Sequence, residues 1–360
     1  MRKISYQQYQ FKILSFDVPR KSFILLFLFV FTLILLYNNL ETSEQIGKKH
    51  QRLKVSESTL FIDNILDMKK EFIPKNSIFF LDTTRMKNPS KARDLTLRQA
   101  CSIESAAITN ENSKVFVVLV SPYKTLEEVK YTPVMETILS YKNVHVNSMN
   151  LIQFSTDTLY DNFLANGTLF KSKFVKQHTS DYARLLILIK YGGTYVDTDM
   201  IVRKNLKDLP SNFICRDHGF LNAAILKLQN QIGNKIGKLF IDDLIRNFNG
   251  SQWGWNGPLM LSRVLNDLCQ TSNVNKMKNC NGFHVLDDDV CYPISGQKWN
   301  KLFEEQHAIE VLQSVEQSYF VHFWNKLSQN EKIACNSGAA YAQLARKFCP
   351  KTFSLCQDYF

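Results

Sequence analysis

The sequence predicts an α/β protein: a Rossmann-like, mostly parallel sheet with flanking helices, preceded by one transmembrane helix. Three observations carry this. Between Ile78 and Ser148, short apolar runs alternate with amphipathic stretches, the rhythm of parallel βαβ units. Val115–Val120 is continuously apolar, as strands buried on both faces are. Residues 22–40, SFILLFLFVFTLILLYNNL, carry no charge and have about the length a bilayer-crossing helix needs.

In chain order, residues 1–21 are a basic tail with Arg2, Lys3, Lys12, Arg20 and Lys21, and Glu41 and Glu44 follow the apolar span. The positive-inside rule puts the N-terminus in the cytosol and the body in the lumen, a single-pass type II arrangement. A cleaved signal peptide is the alternative, but Tyr37-Asn38-Asn39-Leu40-Glu41 offers no small-residue cleavage site. Residues 41–75 are mixed and charged and read as a stem, or as a poorly patterned first helix. The folded body is placed at 76–360.

Within the body, Ile78–Leu81 is a short buried strand. Leu95–Ile108 is a helix, with Ala100, Ile103 and Ala107 at helical spacing. After the strand Val115–Val120 come a helix over Leu126–Ser140 and a strand over Val144–Ser148. The organising stretch is Thr179–Val202, TSDYARLLILIKYGGTYVDTDMIV. Ser180 is expected to cap a helix, with Asp181 in its first turn. The run Leu185–Ile189 fills that helix, and Gly192-Gly193 ends it. Thr194, Tyr195 and Val196 then form a strand that delivers Asp197 and Asp199. Further on, Phe220–Lys227 reads as a strand and 233–247 as an amphipathic helix. Gly254–Leu265 begins as a turn and becomes a helix. The last eighty residues are irregular.

Apolar residues make up 45% of the chain and the net charge is +11. A basic body suits an anionic partner, but no Lys/Arg stripe with interleaved aromatics favours nucleic acid. The eight cysteines, Cys101, Cys215, Cys269, Cys280, Cys291, Cys335, Cys349 and Cys356, all follow the span. An even count in an oxidising compartment reads as disulfides, and no C-x2-C pair supports zinc. The sequons at Asn166 and Asn249 are usable only in the secretory lumen. No P-loop, G-x-G-x-x-G or connected Ser-His-Asp set appears.

Two carboxylates between apolar residues are costly unless a cation meets them. Hard divalent ions such as Mn²⁺ or Mg²⁺ take oxygen ligands and share their shell with substrate phosphates, which fits Asp197, Asp199 and a diphosphate. An exposed turn with solvated acids is the bland alternative. The full context S-D-x-x-R-x6-Y-G-G-x-Y-x-D-x-D separates this stretch from a chance D-x-D. Asp181 and Arg184 share a helix face, as an ion pair or as substrate contacts. Tyr191 and Tyr195 suit a base or sugar as well as a core. His322 and Trp324 are landmarks of the C-terminal part.

This stretch resembles the DxD glycosyltransferases of the Golgi that include α1,4-galactosyltransferases and α1,4-N-acetylglucosaminyltransferases. SIFFLDTT (77–84), QACSIESAAITNENSKVFVVLV (99–120), WNGPLMLSRV (255–264) and VHFWNK (321–326) carry the same resemblance. It implies a luminal domain of the glycosyltransferase A type in the Golgi membrane. It also implies a uridine diphosphate sugar donor, Mn²⁺ or Mg²⁺, and retention of anomeric configuration. The expected donor is UDP-galactose or UDP-N-acetylgalactosamine and the acceptor a glycolipid. Transfer of N-acetylglucosamine to protein-linked glycans, or an inactive sugar-binding protein, are the alternatives. The residues implied as catalytic are Asp181, Arg184, Asp197 and Asp199, with Asp197, Asp199 and His322 at the metal. Ser180, Tyr191, Gly193 and Tyr195 are assigned to the donor. Asn222, Asn256, Gly257 and Trp324 are assigned to the acceptor.

Overall fold

The computed structural model describes residues 55–56, 59–86, 94–123, 126, 128–156 and 160–360. The tail 1–21 and the apolar span 22–40 lie outside the described residues. Among the described ones, no helix is long and apolar enough to cross a membrane. The folded body is Val55–Phe360.

Its first strands are β1 (Val55–Ser56), β2 (Thr59–Phe61), β3 (Asp63–Asn64), β4 (Ile78–Asp82) and β5 (Val115–Ser121). Then come β6 (Glu128–Lys130), β7 (Val144–Asn150), β8 (Gly193–Val196), β9 (Met200–Val202), β10 (Asn212–Asp217) and β11 (Phe220–Leu228). The last are β12 (Asn279–Cys280), β13 (Phe283–Leu286) and β14 (Phe320–His322). The longer helices are α1 (Leu97–Thr109), α2 (Pro133–Leu139), α3 (Val175–Tyr191), α4 (Gln231–Arg246), α5 (Pro258–Leu268), α6 (Ala308–Ser314) and α7 (Ala340–Phe348).

Nine strands form one mixed sheet in the order β12-β13-β10-β11-β8-β4-β5-β7-β3. The run β8-β4-β5-β7-β3 is parallel throughout. This is the α/β architecture, with helices on the sheet faces, that the sequence predicts. The sheet is mostly parallel, as expected, with antiparallel neighbours at β11, against both β8 and β10, and at β12 against β13. His218 and Gly219 both have positive φ and close a tight hairpin between β10 and β11. Part of the stretch read as stem is folded too, since β3 adds to β7 and β2 pairs with β6.

Alternate residues of the central strands feed two cores. Phe79, Leu81, Phe116 and Val118 pack toward α3. Ile78, Phe80, Val115 and Val117 pack toward α1. A capping box fixes the start of α1: Thr96 accepts from the Gln99 amide, and Gln99 returns to the Thr96 amide. The helix expected over Leu126–Ser140 begins only at Pro133, because residues 128–130 pair with β2 and Pro133 takes the first-turn position. Likewise α3 begins at Val175, with His178 and Thr179 buried, so Ser180 lies inside the helix and does not cap it. At its end, Gly192 and Gly193 both have positive φ, and a Cβ on Gly193 would lie 2.5 Å from the Ser77 carbonyl oxygen. Close strand approach, rather than a ligand, fixes Gly193.

All eight cysteines are paired: Cys101–Cys349, Cys215–Cys291, Cys269–Cys280 and Cys335–Cys356. The first joins α1 to the end of α7. Beside it, the buried Glu104 carboxylate accepts from the Lys351 amide at 2.9 Å, the Thr352 amide at 2.7 Å and the Tyr141 hydroxyl. Removing a carboxylate that satisfies buried amides costs on the order of 2 kcal/mol. Glu104→Ala is therefore expected to lower the unfolding free energy by that amount, read as a lower midpoint in denaturant at unchanged slope, without touching the cavity described next. An unchanged midpoint would show that Glu104 does not anchor the C-terminal segment.

Candidate active site

β8 ends at Val196 inside the main sheet, and β9 begins at Met200 in a separate two-stranded ladder with β14. Asp197, Thr198 and Asp199 are the turn between the two sheets, not strand residues. They stand at the carboxyl edge of the parallel strands, where α/β sheets bind ligands. There they line a cavity of about 670 Å³. Leu81 near the end of β4, with Thr83 and Thr84 just beyond it, lines one side; Lys176, Asn222, Trp253 and Lys326 line others.

The turn is held from three directions. From α1, the Ser102 hydroxyl donates to the Thr198 carbonyl at 2.8 Å, and Ser105 accepts from the Val202 amide at 2.9 Å. From β14, His322 Nε2 lies 3.0 Å from Asp199 Oδ2. Just beyond it, the Asn325 amide donates to the same oxygen at 3.0 Å. From α3, Arg184 Nη2 lies 3.2 Å from Asp181 Oδ1 and 3.7 Å from Asp197 Oδ1. The Tyr195 hydroxyl donates to Asp197 and meets Ser180 Oγ at 2.9 Å.

These neighbours split the two acids electrostatically. Burial favours the neutral form of Asp199, but the charge and hydrogen bond of His322 and the Asn325 amide outweigh it and hold Asp199 below its usual range. Burial raises Asp197, and Asp199 adds to the rise, while Arg184 only partly opposes it. Asp181 is pushed up to about 6 by burial, against the pull of Arg184. For His322, burial works against charge, but Asp199 and Asp197 prevail and raise it.

Arg184 is buried and turned inward. Nε donates to the Ser180 carbonyl at 3.0 Å, Nη2 to Ser180 Oγ at 3.0 Å, and Nη1 to the Ala223 carbonyl. Its guanidinium stacks on the Tyr195 ring at 4.3 Å. Most of its donors are engaged by the protein, and the cation lines the cavity beside Asp181 and Asp197. Asn222 reaches the cavity, with its amide engaged by Asp217 at 2.9 Å and its oxygen by the Ala224 amide at 3.0 Å. Gly257 abuts Asp181, where a Cβ would lie 2.7 Å from Oδ1.

Other expected site residues lie elsewhere. The Tyr191 hydroxyl donates to the Ile65 carbonyl at 3.1 Å, and its ring faces Phe79 and Phe154. It is two helical turns beyond Arg184, roughly 10 Å deeper along α3. Asn256 is wholly buried and braces the Asn249 backbone at both ends, at 3.0 and 2.9 Å. Trp324 has φ 55°, which folds its indole back onto His322 at 4.0 Å, with Nε1 bonded to the Ile294 carbonyl at 3.0 Å. Both are supports and not cavity walls. Of the sequons, Asn166 is exposed and Asn249 is half-buried.

The donor set fits a hard divalent cation. Of the carboxylates lining the cavity, the two of the turn have side-chain exposures of 31% for Asp197 and 18% for Asp199. His322 Nδ1 is buried without a hydrogen-bond partner. Among the described residues no three acidic, histidine or cysteine side chains converge as a cage. A cation here would complete its shell with substrate oxygens and water. Sequence reading missed Lys176, Lys326, Trp253 and the two serines of α1. Only the serines' i, i+3 spacing on an apolar helix signals them.

Comparison with known proteins points to one family. The family described as "Glycosyltransferase sugar-binding region containing DXD motif" matches residues 96–214. "Alpha 1,4-glycosyltransferase conserved region" matches residues 229–356. The lactosylceramide 4-alpha-galactosyltransferase of Rattus norvegicus is 30% identical over 335 residues, 93% of this chain and 91% of that one. That of Mus musculus is 31% identical over 79% of this chain and 77% of its own length. The alpha-1,4-N-acetylglucosaminyltransferase of Homo sapiens is 26% identical over 78% and 80%. From its DxD turn to its C-terminal part, this chain belongs to the α1,4-glycosyltransferase family.

Proposed function

We propose that the protein is a retaining α1,4-galactosyltransferase that uses UDP-galactose and extends the terminal sugar of a glycosphingolipid. The observation that carries this reading is the Asp197-Thr198-Asp199 turn, fixed between two sheets over one open cavity. The galactosyltransferases among the relatives, at 30–31% identity, support galactose over the N-acetylated sugars.

Asp199, kept ionised by His322 and Asn325, and Asp197 would hold Mn²⁺ or Mg²⁺. The bound ion would neutralise charge growing on the departing diphosphate. Lys176 and Lys326 add positive charge to the same cavity. Asp181, close beside Gly257, is placed to accept hydrogen bonds from donor-sugar hydroxyls. The other carboxylate lining the cavity is Asp94. Double displacement needs a carboxylate free to attack the anomeric carbon. Asp181 is 7% exposed and tied to Arg184, and Asp197 and Asp199 serve the diphosphate. Attack from the face that the diphosphate leaves, with retention, fits these three acids; a glycosylated Asp94 peptide in trapped enzyme would instead mark a double displacement.

The test is a panel of uridine diphosphate sugars against lipid-linked acceptors, with linkage analysis of the product. Galactose in α1,4 linkage is the expected product. Transfer of N-acetylglucosamine alone, or sugar binding without transfer, would overturn the reading.

The same proposal places the body in the Golgi lumen behind a type II anchor at 22–40. It rests on the charge pattern around that span and on four disulfides, which need an oxidising compartment. Protease added to sealed microsomes should trim only the tail. A body digested in intact vesicles would reverse the topology.

A further inference from the structure

The loop between α4 and α5 is over-determined for a surface connection. Asn256 bridges the Asn249 amide and carbonyl, and Trp255 Nε1 donates to the Asn247 carbonyl at 2.7 Å. Arg263 stacks on the Trp255 ring at 4.7 Å and is itself paired to Asp243 at 2.6 Å. The Gly250 carbonyl accepts from the Lys173 amide at 2.9 Å and from Ser172 Oγ at 3.2 Å. His178 Nε2 lies 3.3 Å from the Trp253 carbonyl. All this rigidity presents one side chain. Trp253 is 42% exposed, yet it lines the cavity that holds the DxD turn. Lys326, from beyond β14, sets its ammonium 3.8 Å from the Trp253 ring centroid. Two segments far apart in sequence thus meet across the cavity wall.

Leaving a large indole in water gains the fold nothing, and fixing it there costs conformational entropy. A rigid aromatic surface with polar groups around it suits a ligand that is apolar on one face and hydroxylated at its edge. A pyranose ring is such a ligand: its C–H face stacks on the indole, and its hydroxyls reach side chains such as Gln177, Asn222 and Gln329, which line the same cavity. We infer that Trp253 is the stacking platform for the acceptor's terminal sugar, with Lys326 fixing the ring's orientation. This rests on the transferase reading above, and it replaces Trp324 as the aromatic that meets the acceptor.

The test uses the full chain in detergent with free lactose, a soluble acceptor carrying no lipid, alongside a lipid-linked lactoside. Trp253→Leu should raise the KM for lactose about tenfold, the scale of one lost aromatic contact. Trp253→Tyr, which keeps a ring, should stay within about threefold. The affinity for UDP, measured by calorimetry with Mn²⁺, should not move in either variant. Tryptophan emission titrated with lactose in the presence of UDP gives a readout that needs no turnover. Wild type should respond, and Trp253→Leu should lose most of the change. An unchanged lactose KM and emission midpoint in Trp253→Leu would overturn the platform. So would a KM rise confined to the lipid-linked acceptor, which would mark Trp253 as a bilayer contact, and so would a wild-type chain whose emission ignores lactose. A normal emission response without transfer would keep the platform and remove the proposed reaction.

Discussion

Asp199→Ala is expected to reduce sugar transfer on the order of 10³-fold or more, the scale of losing several kcal/mol of charge stabilisation at a diphosphate. It removes the acceptor shared by His322 Nε2 and the Asn325 amide, and the carboxylate held most firmly ionised in the cavity. The fold should survive, because Asp199 sits in a turn and β9 keeps its register with β14. Metal-dependent UDP binding by calorimetry, beside thermal unfolding, separates the two effects. Near-normal transfer would eliminate Asp199 as the principal ligand.

Arg184→Met is expected to damage both stability and activity. It leaves Asp181 and Asp197 without their cation and the Ala223 carbonyl without its donor, all close to the same buried point. Removing one partner of a buried charged cluster typically costs about 3–5 kcal/mol. Arg184→Lys should rescue little, because one ammonium cannot supply Nε, Nη1 and Nη2 contacts in a planar fork. Denaturant unfolding and turnover should therefore fall together. Full stability with only turnover lost would mean that Arg184 acts on substrate directly, the role the family resemblance implies.

The residues of this site differ in how far sequence reveals them. Helix α3, its double-glycine end and the strand β8 were legible, because apolar periodicity and turn chemistry are local. The acids at 197 and 199 were legible as a site because few other contexts place two carboxylates between strand residues. Their contacts were not, although the resemblance placed His322 at the metal and Arg184 among the catalytic residues. His322 lies 123 residues beyond Asp199 in sequence and meets it only because β14 pairs with β9. Tyr191 and Gly193 sit in the motif but not at the cavity, since nearness along a helix does not bring a side chain to the ligand end. Ser180 reads as a cap from its type, yet α3 starts earlier and its hydroxyl instead links Arg184 to Tyr195. The tight reversal from β10 into β11 turns on two positive-φ residues, one of them His218, which no pattern marked.

The central claim is that the Asp197-Thr198-Asp199 turn holds a cation shared with the donor's diphosphate. Anomalous scattering from crystals grown with Mn²⁺ and UDP tests it most directly. The expected result is one Mn²⁺ peak between Asp199 and the diphosphate, within the same cavity as Lys326. A diphosphate bound away from this turn, or a Mn²⁺ peak with neither aspartate as ligand, would contradict it.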